Sequence, residues 1–309
     1  MPKIKSKVKS QKSKVISNRN IKDNYFEIII EAPEIAKSAQ PGQFVNIKVS
    51  DGIEPLLRRP LSIHRISYQP PAISRQQRIK NSIVLLYEAV GKGTEILSQR
   101  RPGEFLDVIG PSGNGFNIDR RPLTVDYRPI LIAGGMGTAP LVFLAEKLRE
   151  VKSKKAPAKA GSRQILSNGR EKGKMLVLIG ARTRKDILCE EEFKNLGCEV
   201  KISTDDGSRG FKGYVSDLLA KELSAFSYQP SAIYACGPKL LLKEISRISC
   251  ERNIPAQLSL ESHMACGIGV CMGCVIKVKS KNAKGKTDDK YSRVCKEGPV
   301  FVANQILWE

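Results

Sequence analysis

The 309-residue sequence predicts a small antiparallel β-barrel, then a parallel-sheet α/β domain, then a short cysteine-bearing C-terminal segment. Three observations predict this order. Short β-rich or alternating runs separated by turn signals fill the first third of the chain. Near residue 129 the pattern changes to apolar runs that alternate with amphipathic helical periods, the mark of a parallel sheet flanked by helices. The last stretch, 255–309, carries Cys266, Cys271, Cys274 and Cys295 and two short β-like runs.

The barrel strands are expected at 7–17, 25–31, 43–49, 61–66, 82–89 and 105–109. Gln40-Pro-Gly and Arg101-Pro-Gly punctuate them, and only 93–99 reads as helix. The second domain is expected to run strand 130–133, helix 140–150, strand 175–179, helix 185–195, strand 199–203, helix 214–221, strand 232–235 and helix 238–250. Short β-like runs follow at 275–278 and 299–302, and no internal repeat is visible. The domain division is therefore a basic disordered tail over 1–14, a barrel over 15–118, an α/β domain over 119–254 with a basic insertion at 151–174, and a C-terminal domain over 255–309.

A hydrophobic content of 41% is ordinary for a globular protein with real cores. The N-terminus alternates lysine with small polar residues and lacks the apolar core of a signal peptide. The longest uncharged apolar run, 130–145, is interrupted by glycines and a proline and is too short to span a membrane. These features predict a soluble, cytoplasmic protein with no membrane partner. The net charge of +21 raises a nucleic-acid reading, but much of the excess sits in three low-complexity stretches, 2–14, 151–174 and 277–290. They read as solvated tails or loops, and no basic helix with interleaved aromatics accompanies them, so no nucleic-acid partner is expected.

Cys266-Gly-Ile-Gly-Val-Cys271-Met-Gly-Cys274, followed by Cys295, is C-x4-C-x2-C…C, the thiolate spacing of a plant-type [2Fe–2S] cluster. Two bridged irons need four thiolates converging on a small volume, and Gly267, Gly269 and Gly273 remove Cβ atoms and permit positive φ. A zinc ribbon pairs two C-x2-C knuckles, whereas Cys295 stands alone. A thioredoxin-type site sits at a strand-to-helix junction, whereas Cys274 runs into an apolar β-like segment. Cys189, Cys198 and Cys250 read as packing residues. A cluster protein without a secretory leader belongs in a reducing compartment.

Arg58-Arg-Pro-Leu-Ser-Ile63 supplies an arginine, a fixed φ and a hydroxyl at a strand start, as a flavin diphosphate and ring edge require. Leu86-Tyr87-Glu88 is expected to deliver Tyr87 for stacking, and Gly91, Gly93 and Thr94 open a helix as a phosphate site. Gly110-Pro-Ser-Gly-Asn-Gly-Phe116 closes the barrel with a further glycine-rich turn. In the α/β domain, Ala133-Gly134-Gly135-Met-Gly137-Thr138 follows the first strand but is not a GxGxxG fingerprint. Thr204-Asp205-Asp206-Gly-Ser208 and Ala235-Cys236-Gly237-Pro238 end at the same sheet edge, where α/β ligands bind. Cys236 is placed beside a nicotinamide, while His64 and His263 read as structural or exposed. No catalytic triad or paired-carboxylate site is apparent, so no catalytic residue is assigned.

Together these motifs resemble the ferredoxin–NADP reductase superfamily, and within it the electron-transfer subunits of NAD-dependent, heterotetrameric (class 1B) dihydroorotate dehydrogenase. Arg59-Pro60-Leu61-Ser62, Leu86-Tyr87-Glu88 and Gly93-Thr94 look like that family's FAD-binding segments. Glu261-Ser-His-Met-Ala-Cys-Gly-Ile-Gly-Val-Cys-Met-Gly-Cys274 is similar to its cluster loop, and Arg293-Val-Cys-Lys-Glu-Gly-Pro-Val-Phe301 to the segment that supplies the last ligand. The resemblance covers roughly 15–309; the lysine tail, the 151–174 insertion and the long gap from Cys274 to Cys295 are larger than the family pattern.

The resemblance implies a flavin barrel, a nicotinamide domain and a small [2Fe–2S] domain, with FAD, the cluster and NAD as cofactors. It also implies an FMN-containing catalytic partner that oxidises dihydroorotate, two of each subunit, in pyrimidine biosynthesis. Nicotinamide exchanges hydride while a cluster accepts single electrons, so FAD, which handles both, belongs between them. Asp205 and Asp206 disfavour a 2′-phosphate and point to NAD. The alternative reading is a subunit of an NADH-dependent ferredoxin–NADP reductase or a sulfide dehydrogenase, a group that resembles this one in fold but often replaces one cluster cysteine with aspartate. A third reading, a basic zinc-binding nucleic-acid module, requires zinc without iron.

Overall fold

The computed structural model describes residues 9–66, 81–118, 128–155, 174–225, 230–281 and 287–308, with side chains left aside over 151–155 and at a few strand ends. The chain divides into two compact units: Met1–Gly115 with Ser262–Lys277 and Lys290–Val300, and Phe116–Glu261 with Val278–Asp289 and Phe301–Glu309.

The first unit is built from β1 (Lys9–Lys22), β2 (Tyr25–Glu31), α1 (Pro33–Ser38), β3 (Phe44–Lys48), β4 (Arg59–Ile66), β5 (Ser82–Glu88), α2 (Lys92–Ser98) and β6 (Phe105–Ser112). The strands close in the order β1-β2-β5-β4-β3-β6, every pairing antiparallel. Closure leaves no open sheet edge. Fully buried Val15, Ile28, Ile30, Val45, Ile47, Ile63, Leu85 and Val108 fill its core.

Two features of this unit differ from the sequence reading. The expected disordered tail over 1–14 ends earlier, because Lys9–Lys14 already pairs with Phe105–Gly110 of β6. Ser13 is buried within that run, so the alternation of lysines with small residues marks a half-buried strand. The short helix α1 was not expected, since six residues are too few to establish a period. Residues 1–8 lie outside the described residues.

The second unit carries β7 (Pro129–Gly134), a 3-10 turn (Gly135–Gly137), α3 (Thr138–Lys155), β8 (Leu176–Ala181), α4 (Glu190–Asn195), β9 (Glu199–Thr204), β10 (Phe211–Lys212), α5 (Val215–Ser224), β11 (Ala232–Cys236), α6 (Lys239–Glu251) and β12 (Ala256–Ser259). β7, β8 and β11 are buried at every position, as strands covered on both faces must be. The sheet order is β10-β9-β8-β7-β11-β12-β15, with β15 (Val300–Val302) from the C-terminal segment. Pairings from β10 through β12 are parallel.

The helix expected at 185–195 is split. Thr183 and Asp186 cap one 3-10 turn at Arg184–Asp186, Ile187 leaves it extended, and Cys189 restarts the chain at φ 59° before α4. The C-terminal segment does not cluster as one body: Ser262–Lys277 and Lys290–Val300 group with the barrel unit, Val278–Asp289 and Phe301–Glu309 with the sheet unit. The basic stretch 277–290, expected as a loop, supplies much of β13 (Val275–Lys281) and β14 (Thr287–Arg293), a two-stranded ribbon. Val-Ile-Lys-Val-Lys alternates with period two, which favours a strand over a solvated loop. Most of the insertion at 151–174, namely 156–173, lies outside the described residues, as does 282–286. No helix among the described residues is long and apolar enough to cross a membrane.

Deleting residues 1–14 removes the whole β1–β6 ladder. With ladder hydrogen bonds contributing about 1 kcal/mol each, Tm is expected to fall by at least about 5 °C. Calorimetry checks this, and unchanged melting would contradict the closed barrel.

Candidate cofactor sites

In the barrel unit, Gly267 and Gly269 adopt φ of 63° and 83°, turning the backbone around the sulfur of Cys266. The amides of Val270 and Cys271 donate to Cys266 Sγ at 3.3 and 3.4 Å, the Gly273 amide donates to Cys271 Sγ at 3.4 Å, and the Cys295 amide to Cys274 Sγ at 3.4 Å. None of the four cysteines is in a disulfide. Gly273, expected to supply positive φ, does not; Met272 takes that role at φ 60°.

Burial alone would push the Cys266 thiol up, but the amides of Cys271, Ile268 and Val270 outweigh it and hold it at about 6. Cys295 is the opposite case, pushed up to about 12 by burial and by the Cys274 side chain. Cys274 and Cys295 are buried, whereas Cys271 is exposed. Cys266 lies beside Cys271 and Cys274 beside Cys295, one thiol already favours the thiolate, and backbone amides are aimed at sulfur; these features fit a [2Fe–2S] cluster. Ile268, Val270 and Met272 point outward and are 46%, 73% and 48% exposed.

The loop is anchored by residues that sequence reasoning missed. Asn46 on β3, 1% exposed, donates from Nδ2 to the Gly267 carbonyl at 3.1 Å. Arg293 donates from Nη1 to the Gly269 carbonyl at 2.5 Å, while Glu297 accepts from its other nitrogens. Only the residues' isolated positions were visible in the sequence; the pairing of Asn46 with Gly267 crosses 221 residues.

On the barrel, Arg59, Pro60, Leu61 and Ser62 start β4 and are half-buried. The Arg59 guanidinium, donating to the Leu57 carbonyl at 2.7 Å, lies where a Cβ on Gly93 would fall, so Gly93 is needed for the arginine's approach. Thr94 Oγ1 accepts from the Val90 amide at 3.0 Å and donates to the Gly91 carbonyl, closing the turn into α2. A cation against a glycine turn suits a flavin diphosphate.

Tyr87 corrects the reading. It is 1% exposed, stacked on Phe26 at 5.6 Å, with its hydroxyl donating to Asn18 Oδ1 at 3.0 Å. Asn18 in turn donates to the Leu97 and Arg100 carbonyls, capping the end of α2. Tyr87 is therefore committed to the barrel core rather than offered for stacking on a ligand. Leu86 is likewise buried, and Glu88 accepts from Asn24 at 2.8 Å.

In the sheet unit the strand order reverses between β7 and β11, the crevice where open α/β sheets bind ligands. Gly134, Gly135, Gly137 and Thr138 leave β7 there; Cys236, Gly237 and Pro238 leave β11. A Cβ on Gly137 would collide with the Cys236 carbonyl, and one on Gly134 would lie 2.8 Å from Leu241 and 2.9 Å from Pro238. Gly135, at φ 53°, has nothing within 4 Å of its Cβ position, so the 3-10 turn faces open space. Thr138 Oγ1 donates to the Gly135 carbonyl at 3.1 Å and is buried.

Cys236 is 3% exposed; burial, then the charge of Glu261, pushes its thiol up, with Ser259 acting in the opposite sense. Glu261 was not singled out as a sheet-edge residue because it lies within the cysteine motif in sequence. Asp205 is exposed beyond β9, and the Asp206 carboxylate accepts from the Ser208 amide and hydroxyl at 2.9 and 2.6 Å, which hold it below the usual range. His64 is buried and His263 exposed, as expected. Cys198 is buried as expected, but Cys250 is exposed on α6.

In protein stripped of metal, alkylation of Cys266 is expected to rise through about pH 6 and level off above it, because the thiolate is the nucleophile. Cys236 should stay unmodified. Pulsed iodoacetamide labelling with peptide mass spectrometry checks this; faster labelling of Cys236 would contradict the geometry.

The family model described as the iron-sulfur cluster binding domain of dihydroorotate dehydrogenase B matches residues 261–307, and that of the oxidoreductase NAD-binding domain matches 131–247. A Desulforamulus reducens protein named dihydroorotate dehydrogenase B (NAD(+)), electron transfer subunit, is 38% identical over 298 residues, covering 96% of this chain and 98% of its own. A Geobacillus kaustophilus protein of the same name is 35% identical, with 95% and 96% covered. A solved NADH-dependent reduced ferredoxin-NADP oxidoreductase, described for flavin-based electron bifurcation, superposes with a TM-score of 0.70 at 26% identity, covering 96% of this chain and 90% of that one. A Neisseria gonorrhoeae ferredoxin NADP+ reductase with bound FAD and NADP shares the fold at a TM-score of 0.58 and 12% identity, with 79% and 91% covered. With such identity over nearly its whole length and a matching cluster-binding segment, the chain belongs to the family of dihydroorotate dehydrogenase B (NAD(+)) electron transfer subunits.

Proposed function

We propose that this chain takes electrons from a catalytic subunit that oxidises dihydroorotate through FMN and delivers them to NAD+, as an oxidoreductase subunit in pyrimidine biosynthesis. Cys266, Cys271, Cys274 and Cys295 hold the [2Fe–2S] cluster, and the barrel holds FAD through Arg59, Pro60, Leu61, Ser62, Gly93 and Thr94. Gly134, Gly135, Gly137, Thr138, Asp205, Cys236, Gly237 and Pro238 receive NAD at the switch point of the sheet. Flavin, when bound, supplies the conversion between hydride and single-electron chemistry. Leu86, Tyr87 and Glu88 act beneath the flavin site as its packed support.

The observation that carries this reading is a cysteine loop whose backbone amides point at the sulfurs of Cys266, Cys271 and Cys274. Arg59 contributes charge and a planar fork for a diphosphate. At the switch point, Gly135 leaves room for a ligand and Thr138 fixes the turn's carbonyl. Buried Cys236 stays a neutral thiol, suited to lie against an uncharged ring rather than to act as a nucleophile. Asp205 favours a free 2′-hydroxyl over a phosphate, in line with NAD. Exposed Ile268, Val270 and Met272 rim the cysteine loop and suit an apolar partner surface. The assembly is two of each subunit, in the cytoplasm, where a cluster persists in reducing conditions.

The presence of a cysteine at all four positions of the C-x4-C-x2-C…C spacing favours the orotate-linked reading over a bifurcating reductase. Co-purification decides between them. An FMN barrel enzyme as partner is expected; a glutamate-synthase-like flavoprotein in its place would overturn the reading. Cys271→Ser is expected to abolish the cluster while leaving FAD bound, measured by absorbance and iron content, and retained cluster bands would show the wrong ligand. Gly137→Val, whose side chain meets the Cys236 carbonyl, should weaken NADH binding at least about tenfold, roughly 1.4 kcal/mol. Its flavin and cluster spectra should be unchanged; unaltered affinity would move the nucleotide elsewhere.

A further inference from the structure

Two carbonyls of the cysteine loop are gripped from outside it. Asn46 Nδ2 holds the Gly267 carbonyl at 3.1 Å, and Arg293 Nη1 holds the Gly269 carbonyl at 2.5 Å. In a planar trans peptide the C=O and the following N–H point in opposite directions. The peptide whose carbonyl Asn46 holds ends in the Ile268 amide, and the one Arg293 holds ends in the Val270 amide. Both amides bear on Cys266 Sγ, Val270 at 3.3 Å. Each grip therefore aims an N–H at the same sulfur, and a hydrogen bond at one end of a peptide strengthens the donor at the other.

The contact with Asn46 is built rather than incidental. Its neighbours on β3, Val45 and Ile47, are fully buried and apolar, and a buried amide is costly without partners. A Cβ on Gly267 would lie 2.6 Å from both Nδ2 and Oδ1 of Asn46, so the glycine is what admits the amide. Asn46 also pairs in register with Pro60, inside the Arg59–Ser62 run of β4. One side chain thus ties the strand paired with the flavin motif to the loop carrying Cys266.

We infer that Asn46 and Arg293 are positioning residues that set the reduction potential of the cluster through the 267–268 and 269–270 peptides. The inference rests on the reading of this loop as the [2Fe–2S] site. Amide donors to a ligating sulfur favour the reduced cluster, which carries one more negative charge, so loosening either grip lowers the potential. Arg293 adds its own positive charge, partly offset by Glu297.

Redox titration of the FAD- and cluster-loaded protein, followed by electron paramagnetic resonance, tests this. Asn46→Leu keeps the number and branching of the side-chain heavy atoms and removes the donor. It is expected to shift the cluster's reduction equilibrium about threefold to tenfold toward the oxidised form, up to about 59 mV, with iron and sulfide content and the flavin potential held. Arg293→Lys, which keeps the charge but loses the fork, should shift it in the same direction. A fully loaded Asn46→Leu protein with unchanged cluster potential and resonance would overturn the inference.

If that variant does not retain its cluster, Asn46→Thr is measured by the same criterion. If neither does, hydrogen exchange of the unmodified protein decides. Slow exchange at the Ile268 and Val270 amides is expected, and exchange at the rate of an open loop would overturn the proposal. Absence of iron and acid-labile sulfide from the unmodified protein would instead remove the reading on which the inference rests.

Discussion

The amides turned toward Cys266 Sγ are the interaction on which the barrel unit's site depends. They exist because Gly267 and Gly269 take positive φ and because their carbonyls are held away from the sulfur. Removing one of those carbonyl partners would leave a buried polar group unsatisfied, at a cost of about 1–3 kcal/mol. The same constraint explains Cys295. Its amide donates to Cys274 Sγ, and the adjoining turn is fixed by Arg293 and Glu297, so the last cysteine arrives on a rigid support.

The sheet unit solves a different problem with the same means. β7 and β11 are neighbours whose chain continuations diverge, and their exit loops come so close that Gly134, Gly137 and Gly237 leave no room for side chains. The close approach leaves Gly135 facing open space and keeps Cys236 buried and protonated. An amide-rich, side-chain-free edge beside a neutral thiol suits an extended, phosphate-bearing ligand with an uncharged reacting ring.

Much of this was legible in the sequence where the signal is local. The apolar runs of β2, β5, β7, β8 and β11 and the C-x4-C-x2-C spacing each follow from nearby residues. What was not legible depends on distant partners. Lys9–Lys14 reads both as the end of a tail and as part of a strand over 7–17 until Phe105–Gly110 is beside it. Tyr87 reads as a ligand-stacking residue until Asn18 and Phe26 claim it. Asn46 reads as an unremarkable strand residue until Gly267 supplies the carbonyl. The split before α4 was hidden because neither the extended Ile187 nor the left-handed Cys189 leaves a mark in the residue pattern.

The central claim is that one chain joins hydride exchange at its sheet unit to single-electron exchange at its cysteine loop. Anaerobic titration of the purified chain with NADH, without any partner subunit, tests it most directly. The account predicts that NADH bleaches the flavin and also elicits the resonance signal of a reduced [2Fe–2S] cluster. Flavin bleaching with a cluster that stays oxidised, though dithionite reduces it, would contradict the claim.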